Sequence, residues 1–165
     1  MLKPTIVLII DDNQLLLEVN KLSDKYQLSN ISVKKLAAWC RMESGKRILG
    51  NNPGNMRGGS DYYIHPGAVD EYINGQHVVA SGADDPLRRF RYFESLTDGI
   101  ECMLLWLINK HTKAYEYLLD DSRTMAEFGF MLGSKNNYGM RYYTADQTKY
   151  ASAVSSVYKT RFENL

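Results

Sequence analysis

The sequence predicts an α+β protein, mainly helical, in which a small β-lobe set between helices forms a cleft with the helical part. Three observations lead there. Apolar residues recur at helical spacing before residue 44 and again after residue 95. The stretch between them is rich in Gly, Asn, Asp and Pro and carries short β-prone pieces. A length of 165 residues, with 44% apolar and 24% charged content, suits a single domain, residues 1–165, able to bury a proper core. The formal net charge of +1 argues against whole-surface attraction to nucleic acid or anionic lipid.

The elements follow in chain order. Residues 5–10 form an apolar run too short for a membrane span, and it ends at Asp11-Asp12 without a small-residue cleavage site. The 1–12 segment therefore reads as a short strand or a lead-in to the first helix. From residue 13 to 27, Leu15, Leu16, Val19, Leu22 and Tyr26 fall at helical spacing. Ser29 or Ser32 caps a second helix through about Met42, with Val33, Leu36, Ala37 and Cys40 on one face and Gly45 as its stop. The β-lobe covers about 58–93, with β-prone pieces at 62–64, 71–73 and 77–79 and a two-residue hairpin signal at Asn74-Gly75.

Helices resume with Ser95 or Thr97 as cap, and Ile100, Met103, Leu104, Leu107 and Ile108 make the most apolar face of the chain. A shorter helix covers 114–119, and another runs from Ser122 or Thr124 through Met131 to a stop at Gly133. Asp146 caps the last, with Tyr150, Ala153, Val154 and Val157 inward. Cys40 and Cys102 sit inside apolar patterns and read as buried small hydrophobes. His65, His77 and His111 are scattered without metal-ligand spacing, so neither metal nor cofactor is expected.

Chemistry concentrates around residue 43. Glu43 ends an apolar helical run, Leu36-Ala37-Ala38-Trp39-Cys40, and the chain then turns through Ser44-Gly45. A carboxyl with one apolar side and one side open to a cleft has its pKa raised by desolvation. That is the state a glycoside hydrolase needs in its proton donor. The plain alternative is a surface Glu at a helix end. Asn52 and Asn55, around Pro53-Gly54, supply turn chemistry or position Glu43 or a sugar hydroxyl. Tyr62, Tyr63, Tyr72, Tyr138, Tyr142, Tyr143 and Tyr150 cluster in the β-lobe and the C-terminal loop. Sugar faces stack on such rings, although packing is the usual use of any single tyrosine. Tyr143 stands out because it lies in a Gly- and Asn-rich loop entering a helix.

Five pieces then line up in order: Glu43-Ser44-Gly45; Asn52-Pro53-Gly54-Asn55-Met56-Arg57; Asp70-Glu71-Tyr72-Ile73-Asn74-Gly75; Phe90-Arg91-Tyr92-Phe93-Glu94-Ser95; and Tyr143-Thr144-Ala145-Asp146 with Tyr150-Ala151. In these the chain resembles the lysozyme-like superfamily, most closely the family-73 β-N-acetylglucosaminidases. These include flagellar, autolytic and phage peptidoglycan hydrolases. The chain differs in having Lys46-Arg47 where the family often has Trp-Gly after Ser-Gly, and in the insertion at 81–89.

The resemblance implies a lysozyme-like fold and cleavage of β-1,4 bonds in peptidoglycan glycan strands. It also implies Glu43 as general acid, Glu71 as the second carboxylate, and Tyr143 and Tyr150 lining the sugar groove; Tyr72, Asn52 and Asn55 are further candidate substrate contacts. Asp61, Asp70 and Glu94 are rival second acids. Arg57 reads as an ion-pair partner or a contact to a peptide stem. The spacing of the two carboxyls in space decides between inversion and retention.

A muramidase or lytic transglycosylase is the nearest alternative, and a non-catalytic glycan-binding module of a virion or secretion assembly is the alternative of another class. A monomer without nucleic-acid partner or stable membrane insertion is expected. It is expected to be made in the cytoplasm without a recognisable signal peptide and to reach the wall as a phage endolysin or virion component, or through a dedicated export system.

Overall fold

The computed structural model describes residues 7–56, 68–69, 72–73, 76–77, 92–143 and 146–165. The lead-in is a strand: β1 (Val7–Ile9) pairs antiparallel with β2 (Arg47–Leu49), placing Leu8 opposite Ile48. Ile48 is fully buried while Val7 and Ile9 face solvent, the alternation expected of a one-sided ribbon.

The helix expected over 13–27 is two helices, α1 (Asp12–Asn20) and α2 (Ser23–Tyr26). Asp11 opens α1 in a capping box with Gln14. The break follows from backbone competition: the Leu22 N–H bonds three residues back to Val19, and Ser23 Oγ takes the Asn20 carbonyl. Leu22 is thereby turned into the core beside Leu15 and Val19.

The acid-bearing helix, α3 (Asn30–Ser44), is capped by Ser29, which accepts from the Ser32 N–H, and ends at Gly45 with φ +62°. It is buried on most sides, with Leu36, Ala37, Ala38, Trp39 and Cys40 fully enclosed. The Cys40 thiol is held far above its ordinary pKa by burial, which fits a packing role for this residue.

Between α3 and the next helix, β3 (Ala68–Val69) pairs with β6 (Tyr92–Phe93) and β4 (Tyr72–Ile73) with β5 (Gln76–His77), both antiparallel. The β4–β5 ladder flanks the Asn74-Gly75 turn signal. The piece expected at 62–64 lies outside the described residues.

The central helix is α4 (Leu96–Lys110), capped by Ser95; Thr97 instead donates to Glu18 Oε2 at 2.8 Å. Ile100, Met103, Leu104 and Leu107 are fully buried as the spacing predicts, whereas Ile108 is only half-buried. α5 (Thr112–Leu119) and α6 (Met125–Leu132) follow, the latter capped by Thr124 in a capping box with Glu127. The buried Lys35 ammonium satisfies carbonyls at the end of α5, donating to Asp120 at 2.8 Å and Tyr117 at 3.3 Å.

α7 (Gln147–Val157), capped by Asp146, continues into a π-turn, Tyr158–Phe162. Its inward stripe is Ala151, Val154 and Ser155, and Ala153 is exposed, contrary to the sequence expectation. The shift comes from close packing against α6: a Cβ at Gly129 would stand 2.5 Å from Val154 Cγ1 and 3.2 Å from Ala151 Cα. Among the described residues, no helix is long and apolar enough to cross a membrane.

His111 joins α4, α5 and α6. Its Nδ1 accepts from the Ala114 N–H at 3.4 Å, which leaves Nε2 to donate to the Met131 carbonyl at 2.9 Å. The bond accepted at Nδ1 requires the neutral ring, and burial lowers its pKa against the opposing effect of the Met131 carbonyl. An unfolded histidine titrates near about 6.5. The stability that His111 lends is therefore full above that value and is lost as pH falls through the folded-state pKa. Urea midpoints at pH 7.5 and 5 are expected to fall more for wild type than for His111→Gln; equal falls would show that the ring does not titrate with folding.

Candidate functional site

The Glu43 carboxyl lies in the last turn of α3, half-buried as a residue but with protein packed closely around its acid group. Two parts of the chain far away in sequence meet it there. From α7, the Tyr150 hydroxyl donates to Glu43 Oε1. From the loop before α7, the Tyr142 hydroxyl faces the same carboxyl. Trp39, one helical turn before Glu43, brings its indole to the same face of α3. Its buried Nε1–H points at this cluster and draws the acid's pKa down, yet it completes no hydrogen bond of good geometry among the described residues.

The rings are packed edge on: Trp39 lies 5.5 Å from Tyr142, and Tyr142 lies 5.1 Å from Trp106. Tyr143 stacks on Tyr150 at 4.1 Å, 25° from parallel.

This surrounding acts on proton affinity in two directions. Burial raises the Glu43 pKa, and the donors of Tyr150, Tyr142 and Trp39 oppose it. Burial prevails, so the carboxyl holds its proton above the ordinary carboxylate range. The same carboxyl and the same burial push both the Tyr142 and Tyr150 hydroxyls upward, which keeps them donors. Tyr143 is pushed up to about 12, mainly by burial.

The turn after the acid is fixed by two devices. The Asn55 side chain, on a residue at φ 49°, donates to the Glu43 carbonyl at 2.7 Å. Arg41, almost wholly buried, donates to the Gly45 and Ile10 carbonyls, each at 2.9 Å, and to Asp12 Oδ1 at 3.1 Å. Arg161 from the π-turn grips both oxygens of Asp12, at 2.8 and 2.9 Å. Asp12 thus neutralises the arginine that shapes the acid's own turn.

The other residues singled out in the sequence fall as follows. Asn52 is buried and folded back on its own loop, with Nδ2 donating to the Met56 carbonyl and Oδ1 accepting from the Met56 N–H. That is the turn role. Tyr143 is half-buried with its hydroxyl donating to the Gly129 carbonyl at 2.9 Å, so it backs Tyr150 from the α6 side. Tyr72 is in β4, paired with His77. Glu94 is exposed, immediately before the Ser95 cap. Glu71, Asp61, Asp70 and Arg57 lie outside the described residues.

Sequence reasoning named Tyr142 only among the clustered tyrosines and Trp39 only within the apolar run, gave neither a place beside Glu43, and left out Arg41. The spacing of Trp39 four residues before Glu43 was a usable signal for its sharing the acid's face. Nothing local marks Arg41. A separate open groove of about 870 Å³ runs between α6 and α7, lined by Phe130, Ala151, Ser152 and Ser155, and it does not include the acid. Among the described residues no group of His, Cys, Asp and Glu is arranged to hold a metal ion. Compared with known proteins, the chain matches no family model, no curated protein and no solved structure.

Proposed function

We propose that the protein is a peptidoglycan hydrolase that cleaves β-1,4 glycosidic bonds of the wall glycan as an endo-β-N-acetylglucosaminidase. Glu43 is its general acid. The observation that carries this is a carboxyl buried among aromatic rings, with a tyrosine hydroxyl donating to it and burial raising its pKa. Glycosidic cleavage requires a proton delivered to the leaving oxygen, and an acid with a raised pKa supplies it near neutral pH. Glu71 is the second carboxylate, with Asp61 and Asp70 as its rivals; it stabilises the developing positive charge or activates water. Asn55 is a positioning residue acting through the Glu43 carbonyl.

Digestion of purified walls, borohydride reduction of the products and mass spectrometry test the reading. Reduced N-acetylglucosamine ends support it. Reduced N-acetylmuramic ends make the protein a muramidase and anhydro ends a lytic transglycosylase, both of which use the same protonated acid. Wall binding without any glycan release by the wild type would make it a binding module.

Tyr150 gives a pH test of the same reading. Its hydroxyl lowers the Glu43 pKa against the larger effect of burial. A general acid loses activity as pH rises through its pKa, so Tyr150→Phe is expected to move the alkaline limb of the kcat profile to higher pH. A donor bond to a charged group amounts to about 1.5–3 kcal/mol, so a fall in kcat of about tenfold or more at the optimum is expected. An unmoved limb would remove Tyr150 from the acid's control.

A further inference from the structure

The loop between α6 and α7 presents an exposed aromatic ring on a hydrogen-bonded base, beside cations that make no ion pair among the described residues. Tyr138 and Met140 are 64% and 63% exposed, although large apolar side chains usually find cover. The loop beneath them is well built. Asn136 Oδ1 accepts from the N–H groups of Tyr138 and Met140, at 2.9 and 3.0 Å, and the Asn136 N–H meets the Met140 carbonyl at 2.7 Å. Asn137 ties the loop to the α4–α5 corner, donating from its N–H to the Lys110 carbonyl at 2.9 Å and accepting from Thr112 Oγ1 at 3.0 Å.

The Lys110 ammonium lies 4.5 Å from the centre of the Tyr138 ring. Lys113, Lys135 and Arg141 stand exposed on the same loop and corner, and none of the four cations makes an ion pair among the described residues. No acidic residue occurs from 128 to 145.

Packed rings link the helix that carries Lys110 to the acid. Tyr142 faces Glu43 and packs on Trp106, and Lys110 lies one turn further along α4 on the face of Trp106.

We propose that Tyr138 and Lys110, with Lys135 and Arg141 around them, form a subsite for the carboxylate-bearing peptide stems of the wall glycan. The inference rests on the hydrolase reading above and adds its charge preference. An uncharged sugar polymer offers nothing for these cations, whereas stem carboxylates pair with them and the stem's apolar parts cover Tyr138 and Met140.

The test uses the full chain carrying Glu43→Gln, so that walls are bound and not consumed. Its binding to purified walls is compared with binding to walls whose carboxyls have been converted to amides by carbodiimide and ammonia. Adding Tyr138→Ala or Lys110→Ala is expected to weaken binding to untreated walls about tenfold. Both additions are expected to have little effect on the amidated walls, which the parent itself holds more weakly. Both side chains lie at the surface, and two separate variants guard against loss of fold in either. Equal binding of both variants and the parent to untreated walls overturns the subsite, as does indifference of the parent to amidation. If the wild type meanwhile releases glycan fragments, the hydrolase reading survives that failure. A wild type that neither binds nor cleaves walls overturns both.

Discussion

Glu43→Gln is expected to lower kcat on purified walls by about 10²–10⁴-fold, the usual contribution of a positioned general acid. It is also expected to leave the chain more stable than wild type at pH 8. The two effects have one cause. Burial raises the folded-state pKa of Glu43 above the value of about 4.3 that it has when unfolded. The stability associated with its proton is therefore full below the unfolded value and is lost as pH rises through the folded one. Glutamine keeps the shape and an acceptor for the Tyr150 hydroxyl but has no charge to bury. The stability difference in favour of the variant should grow between those two pKa values and vanish near pH 4. Urea unfolding of both proteins at pH 4 and pH 8 measures this. A variant that still releases glycan fragments at the wild-type rate would end the assignment of Glu43. A stability difference identical at the two pH values would mean that the carboxyl is not held protonated by burial.

Gly99→Ala is expected to produce the largest loss of stability among single conservative changes, about 3 kcal/mol or more, from overpacking against atoms that cannot move aside. A methyl group there would overlap the Asn51 carbonyl and stand 2.9 Å from Pro53 Cδ. α4 can pass this close to the loop after the acid only without a side chain at 99. Asn51, at φ 53° with its amide donating to the Phe93 carbonyl at 2.9 Å, has no freedom to withdraw.

The loop so displaced carries Asn55, so activity should fall with stability. Gly54→Ala is the contrast: the atoms nearest its methyl belong to the Met103 side chain, 2.7 Å away at Cγ, rather than to backbone, so its cost is expected to be smaller. Denaturant midpoints of the two variants should differ widely; similar midpoints would mean that the 99–51 approach relaxes at little cost.

The parts legible in the sequence are those encoded locally. Caps at Ser29, Ser95, Thr124 and Asp146 are where polar residues precede apolar periodicity, because a cap needs only its own next three residues. The acid could be found because Glu43 follows an apolar run, so its burial was implied by its own helix.

What was not legible depends on distant partners. The break at Leu22 gives no local stop signal such as Gly or Pro, and the exposure of Ala153 depends on Gly129 in another helix. The contact of Asn55 with the Glu43 carbonyl, twelve residues back, had no local signal of its own. Nor was it legible that the loop before Tyr143 is stitched down and that the Tyr143 hydroxyl is tied to Gly129.

The grip of Arg161 on Asp12 joins positions 149 residues apart in the chain. Such a contact forms late, because closing so long a loop is entropically costly until much else is in place. On the ribosome it has to wait until residue 161 has emerged, by which time every helix before it has been synthesised. The acid's turn, shaped by Arg41 against Asp12, therefore gains its last support only once Arg161 is in place. A partly made chain can hold the Glu43 helix without holding its working geometry. The ordering of the Glu43 turn is thus coupled to the folding of the π-turn, although the two lie more than a hundred residues apart in the chain.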